Sequence, residues 1–274
     1  SHSLFFIPFG SLLVTLFIFP FLRGSMSLKM VYTASFLGYA THGLLDACTS
    51  YGTQLFWPFS DQRVAWNNIS IVDPLFTIPI IILTVTAIKT RKKMFSFFAI
   101  GWITFYLFLG FIQYERTLSA AMELAYSRGH EAERLTLKPS FGNLILWKSI
   151  YQHDEIYFVD AIRTVHSSTW CSGDSIKRFD FNYHIPTIDK DSQQARDIER
   201  FRWFSQDYLG YDEKNDLVTD IRYSMIPNQI APMWGLVIDK KLSMDKHASW
   251  WTSQSLDQSQ LKLFKEMLRG EVCE

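Results

Sequence analysis

The sequence predicts a membrane α-helical bundle of about four transmembrane helices followed by a soluble α+β domain. Long uncharged runs fill the first half, the charges concentrate in the second half, and the basic residues of the first half stand in short clusters between the runs. Whole-chain averages hide this pattern, because 274 residues with 48% hydrophobic content and a formal net charge of zero resemble a soluble protein. Residues 1–130 hold nine Lys/Arg and five Asp/Glu, while the remainder hold eighteen and twenty-two, so the two parts carry +4 and −4. The second part is large and mixed enough to bury its own core. The expected domains are residues 1–128 and 129–274.

Residues 3–22 carry no charge over twenty positions, about the length of helix that crosses a hydrocarbon core. Pro8 and Pro20 lie near the ends of this first span, where a membrane helix tolerates them. Met30 to about Tyr51 is the second span, rich in small residues (Ala34, Ser35, Gly38, Ala40, Gly43) that let helices approach one another. Residues 52–65 read as an interfacial loop with Trp57 and Trp66 at headgroup depth. Trp66 to Ile88 is the third span, and it ends in the cluster Lys89, Arg91, Lys92 and Lys93. Met94 to Gln113 is the fourth, continuing as helix to about Arg128. The basic residues between spans one and two (Arg23, Lys29) and between spans three and four fall on one side, which the positive-inside rule makes cytoplasmic. The chain is therefore expected in a bacterial inner membrane, multi-pass, with its second domain extracytoplasmic. That domain reads as strands in residues 135–151 and 154–165, a helix around Ile198, Phe201 and Phe204, further strands in 217–226 and 233–239, and a closing helix over 258–270.

The polar residues of the spans carry the chemistry. His42 and Asp46 are four apart, so a helix projects both from one face. Ionisable pairs inside a bilayer mark function by default, and imidazole with carboxylate suits zinc or a similar divalent ion. His2 starts span one, on the same membrane face as the end of span two, and completes a candidate metal set of His2, His42 and Asp46. Asp73, before Pro74, falls at the same depth. It reads either as a fourth candidate ligand or a partner for an imidazole N–H, catalytic with Asp46 in orienting a water, or as the N-cap of a helix with Pro at its first position, and the cap is favoured. For His42 and Asp46 the structural alternative is an interhelical hydrogen bond and an exposed cap.

These residues also carry a resemblance. Ser1-His2-Ser3-Leu4, His42 through Asp46 with Thr49 and Gly52, Pro58-Phe59-Ser60 and Asp73-Pro74-Leu75 stand in the order of the YdjM-type family of inner-membrane proteins. The chain resembles that family over residues 1–113. The resemblance implies a metal-dependent hydrolase. Family members begin with a further apolar segment bearing acidic and histidine residues, which has no counterpart ahead of Ser1, so the chain reads as trimmed. A metal at this site lowers the pKa of a bound water and polarises a phosphoryl or carbonyl oxygen, with Asp46 or Asp73 orienting the water. Its interfacial depth predicts a membrane lipid or lipid-linked ester or phosphoester as substrate.

Other classes have less support. No long basic patch points to nucleic acid, and about four spans without an internal repeat argue against a transporter. Cys48, Cys171 and Cys273 are widely spaced, so neither a zinc ribbon nor a disulfide framework is expected. Cys171, with His166 and His184 nearby in sequence, is a minor candidate nucleophile, more often a buried small hydrophobe or an oxidised partner. Trp250 and Trp251 read as core or interface. The alternative to an enzyme is a non-catalytic membrane protein whose second domain binds an envelope partner.

Overall fold

A computed structural model describes residues 2–241, 243–253 and 257–273. A helical N-terminal region precedes a domain of antiparallel sheets. The first region holds a 3-10 turn, Leu4–Phe6, and helices α1 (Ile7–Leu22), α2 (Leu28–Cys48), α3 (Pro74–Thr90) and α4 (Lys93–Ser127). The 3-10 turn, α2 and α3 each start at a side-chain cap. Ser3 Oγ accepts from the Phe5 amide, Ser27 Oγ from Met30, and Asp73 Oδ1 from Phe76 with Pro74 next to it, each meeting one of the amides a helix start leaves orphaned. Within the helices, the hydroxyls of Ser11, Thr15, Thr41, Thr86 and Thr104 each donate to the carbonyl four residues back, at 2.6–3.0 Å. Each of these hydroxyls is thereby satisfied by its own backbone.

Two of the helical stretches, Leu4–Leu22 and Lys93–Ser127, are long and apolar enough to cross a membrane. The four expected spans are thus met by two on length and composition. α2 has the length, 21 residues, but carries Lys29, His42, Asp46 and several hydroxyls, while α3 is apolar but only 17 residues long. The expected start of span three at Trp66 is corrected as well. Residues 66–69 run outside any helix, because the Trp66 amide donates to Ala47 O at 2.7 Å and the Asn68 amide to Cys48 O at 2.8 Å, binding this stretch to the end of α2. α4 runs unbroken over 35 residues, as the expected continuation toward Arg128 requires.

The chain divides into two compact units, residues 1–114 with 141–144, and residues 115–140 with 145–274. In the second unit β1 (Arg134–Pro139), β2 (Leu146–His153), β3 (Ile156–Thr164) and β4 (Ser168–Cys171) pair antiparallel in that order, and β5 (Ser175–Lys177) also pairs with β3. After α5 (Phe181–His184) and α6 (Gln193–Phe204), strands β6 (Leu209–Asp212), β7 (Leu217–Asp220), β8 (Trp234–Val237) and β9 (Ser249–Thr252) form a sequential antiparallel sheet. α6 buries Ile198 and Phe201 against Leu209, Val218 and Leu236. The closing helix α7 (Gln258–Arg269) buries Met267 against Leu146, Ala161 and Cys171. Arg128, just past α4, grips Asp160 of β3 with two hydrogen bonds of 2.7 and 2.8 Å. Cys171 is disulfide-bonded to Cys273, 102 residues away, a pairing that the wide spacing does not announce and that makes Cys171 the oxidised partner.

One buried cation stands out in this domain. Lys148 of β2 is 4% exposed, and its Nζ donates to Ser224 Oγ and Gln229 O, both at 2.7 Å. Burial pushes its pKa down from 10.5 to about 7. Between those values the unfolded chain binds one more proton than the folded one, so stability rises with pH. The expected gain is up to about 1.4 kcal/mol per pH unit between pH 7 and 9. Thermal unfolding of the full chain in detergent, followed by tryptophan fluorescence, should show a midpoint that climbs over this range in wild type and loses most of that slope in Lys148→Met.

Candidate metal centre

α2 projects His42 and Asp46 from one face, one turn apart, near its C-terminal end. His2 reaches them from outside the helix, and the loop after α2 holds it there. The Leu4 amide donates to Leu55 O at 2.9 Å, the Ser3 hydroxyl donates to Trp57 O, and the Phe6 and Trp57 rings stack at 5.2 Å. Phe5 meets Phe59 edge-on at 5.4 Å. The Pro58-Phe59-Ser60 stretch therefore lies in the loop that positions His2. Gly43 supplies the remaining condition: a β-carbon there would stand 2.9 Å from His2 O. Only a residue without a side chain lets the first strand of backbone lie this close to α2.

The three predicted ligands converge. His2 Nε2 lies 3.1 Å from His42 Nε2 and 3.1 Å from Asp46 Oδ2, and His42 Nε2 lies 3.8 Å from the same oxygen. Two imidazole nitrogens facing each other and one carboxylate oxygen need a proton or another cation among them. A zinc ion with bonds of about 2.0–2.1 Å at tetrahedral angles separates its ligand atoms by about 3.3 Å, and these spacings straddle that value. Nitrogen and oxygen donors suit the same ion. The side chains are 45%, 58% and 39% exposed, so a three-ligand site here keeps an accessible fourth position.

Asp73 is not brought into this group. It is buried, its Oδ1 caps α3, and its Oδ2 accepts from the Tyr106 hydroxyl at 2.7 Å. The capping role anticipated from Asp73-Pro74 is what the fold uses. Tyr106, 33 positions away on α4, had no signal in the sequence, and neither did the roles of Gly43 and Trp57. Cys171 is not available as a nucleophile, since its sulfur is bonded to Cys273. Ser1 of the resembling Ser1-His2-Ser3-Leu4 motif lies outside the described residues.

The family model described as YdjM inner membrane protein matches residues 1–117, which bears out the resemblance over that region. No curated protein and no solved structure matches the chain.

The Gly43 contact yields a direct test. Gly43→Val should push His2 away from α2 and weaken Co²⁺ binding at least about ten-fold, the scale seen when the support of a metal ligand is lost. Titration of the Co²⁺ absorption bands would measure it, with circular dichroism confirming unchanged helix content.

Proposed function

From the match of residues 1–117 to the YdjM inner membrane protein family, we propose that this membrane protein is a metal-dependent hydrolase acting at the bilayer interface on a lipid-linked ester or phosphoester. The observation that carries the proposal is the convergence of His2, His42 and Asp46 within 3.1–3.8 Å of one another. His2 and His42 are proposed to hold the metal through Nε2, and Asp46 through Oδ2. When bound, a divalent ion such as zinc lowers the pKa of its water toward neutrality and polarises a phosphoryl or carbonyl oxygen. Asp46 then has Oδ1 left to orient that water and hold its proton. Asp73 serves as a structural acid in this proposal, fixing the start of α3.

The proposed topology has all four helices crossing the membrane, with the sheet domain extracytoplasmic. Several features support it. α1 and α2 are joined by only five residues, Arg23–Ser27, so α2 returns along α1, where a β-carbon on Gly10 would stand 2.5 Å from the Tyr39 ring. α2 spans about 31 Å at 1.5 Å per residue, enough for a hydrocarbon core. The α3–α4 turn carries Lys89, Arg91, Lys92 and Lys93, and the α1–α2 turn carries Arg23. A disulfide between Cys171 and Cys273 suits an oxidising compartment. An impermeant maleimide should accordingly label a cysteine introduced at Arg91 in inside-out vesicles and not in intact spheroplasts.

Elemental analysis of the purified full chain tests the centre. Wild type should hold about one equivalent of divalent metal, and His42→Ala and Asp46→Ala should each lose it while remaining folded. The metal-loaded protein should release labelled water-soluble product from a membrane-lipid extract, and both variants should release none. A metal-free, well-folded wild type would leave the non-catalytic reading, a membrane anchor for an envelope-binding domain, in its place.

A further inference from the structure

A second polar centre lies in the sheet domain, apart from the metal candidates. Lys148 is held on β2, and Ser224 follows the turn after β7. They are 76 positions apart in sequence, yet Lys148 Nζ sits 2.7 Å from Ser224 Oγ. Lys148 is buried and Ser224 only partly buried, so the amine approaches the hydroxyl from the protein interior. The segment carrying Ser224 is pinned on several sides. The Ser224 hydroxyl donates to Ile226 O at 2.7 Å, the Gln229 amide donates to Ile226 O, the Ile230 amide donates to Asp174 Oδ2, and Asn228 Nδ2 donates to Ser172 O. Neither partner has to move far to keep this geometry.

The surroundings favour a neutral amine. Asp220 is already bound by Arg222 at 2.7 Å, and Asp174 is engaged by the Ile230 amide. Both raise the lysine pKa, but desolvation outweighs them. Lys138, opposite Lys148 in the β1–β2 register, lies over the Tyr223 ring at 5.1 Å and adds a second cation to this side of the sheet. Among the described residues no carboxylate stands within ion-pair distance of Lys148. A neutral amine has one acceptor and two donors, so it can accept the Ser224 proton once that hydroxyl turns from Ile226 O to Nζ, while still donating to Gln229 O.

We propose that Ser224 and Lys148 form a serine–lysine nucleophile pair that hydrolyses a carboxylic ester or amide. Ser224 Oγ attacks the substrate carbonyl carbon as its proton passes to Lys148 Nζ, forming the Oγ–C bond and an ammonium. Collapse breaks the bond from carbon to the leaving oxygen or nitrogen, which takes the proton from Lys148. Water then attacks the acyl-serine with Lys148 again accepting a proton, and release of the carboxylic acid restores both groups. Serine activated by lysine in place of histidine is an established form of this chemistry. The proposal does not rest on the metal centre.

The test is covalent labelling of the full chain in detergent with a fluorophosphonate probe, with chelator present throughout. The adduct should map to Ser224 by mass spectrometry. Its rate should fall about ten-fold per pH unit below pH 7, since only the free amine accepts the proton. Ser224→Ala should lose the label with an unchanged melting temperature, and Lys148→Met should lower the rate at least a hundred-fold. Should Lys148→Met fail to fold, the wild-type pH profile and Ser224→Ala still decide. A folded wild type without an adduct at Ser224, a rate flat between pH 5 and 9, or a folded Lys148→Met labelled at the wild-type rate would each overturn the proposal. Unlabelled wild type would next be offered acyl esters and acyl amides of matched chain, and hydrolysis of one class alone would identify the leaving group.

Discussion

A polar group shut away from water without a partner costs several kcal/mol, and the layout of this protein follows from meeting that cost. In the helical region several helix hydroxyls bond their own backbone, as Ser11 and Thr15 do on α1. Asp73 is the severe case, a buried carboxylate among apolar helices. It is tolerable because both oxygens are engaged, one by the start of α3 and one by Tyr106 of α4. The same acid thus sets where α3 begins and how α4 lies against it, with Trp102 Nε1 donating to Phe76 O one turn along. Seen this way, Asp73 is a fastening between helices, which is why its nearness in sequence to the family motif does not translate into nearness to His42.

His2, His42 and Asp46 depart from this pattern in an informative way. Their bonds are mainly to each other, and that triangle of donors is closed only when a proton or another cation occupies it. The scaffold spends backbone contacts to maintain it: Gly43 for the approach of His2, Leu55 and Trp57 as acceptors for the segment that follows. A fold that needed only to hide polar groups would have no reason to gather three of them at the partly exposed end of a helix hairpin. Convergence that has to be maintained by other parts of the structure is what supports the proposed metal centre.

What could be read in the sequence were features whose cause is local. The uncharged runs gave α1 and α4, the four-residue spacing of His42 and Asp46 gave their shared face, and Asp73-Pro74 gave the start of α3. His2 was reachable by one further step, since antiparallel helices joined by a short basic turn bring the first residues of one to the last of the other. β-Branched and aromatic residues between turn formers marked β1, β2, β3, β7 and β8. Features made by distant parts of the chain left no such trace. Residues 66–69 look like the start of a span until Ala47 and Cys48 claim their amides. Cys171 and Cys273 meet only because α7 packs on β3 and β4, and Tyr106 finds Asp73 only once α4 has docked.

Lys148 shows the same constraint producing the opposite outcome. A buried ammonium is normally paired with a carboxylate, yet the two nearest acids are already committed, Asp220 to Arg222 and Asp174 to a backbone amide. With its partners taken, the cheaper course is to shed the proton, and the amine that results is a base held against a hydroxyl. The two centres therefore reach reactive states by different routes. The histidine and aspartate cluster is open, and in the proposed reading a cation balances its donors, whereas the lysine is enclosed and is shifted toward its neutral form. Chemistry at the first depends on what the surrounding solution supplies. Chemistry at the second depends only on the packing around β2, so it persists for as long as Asp220 remains bound to Arg222 and no free carboxylate is left to hold Lys148 in its charged form.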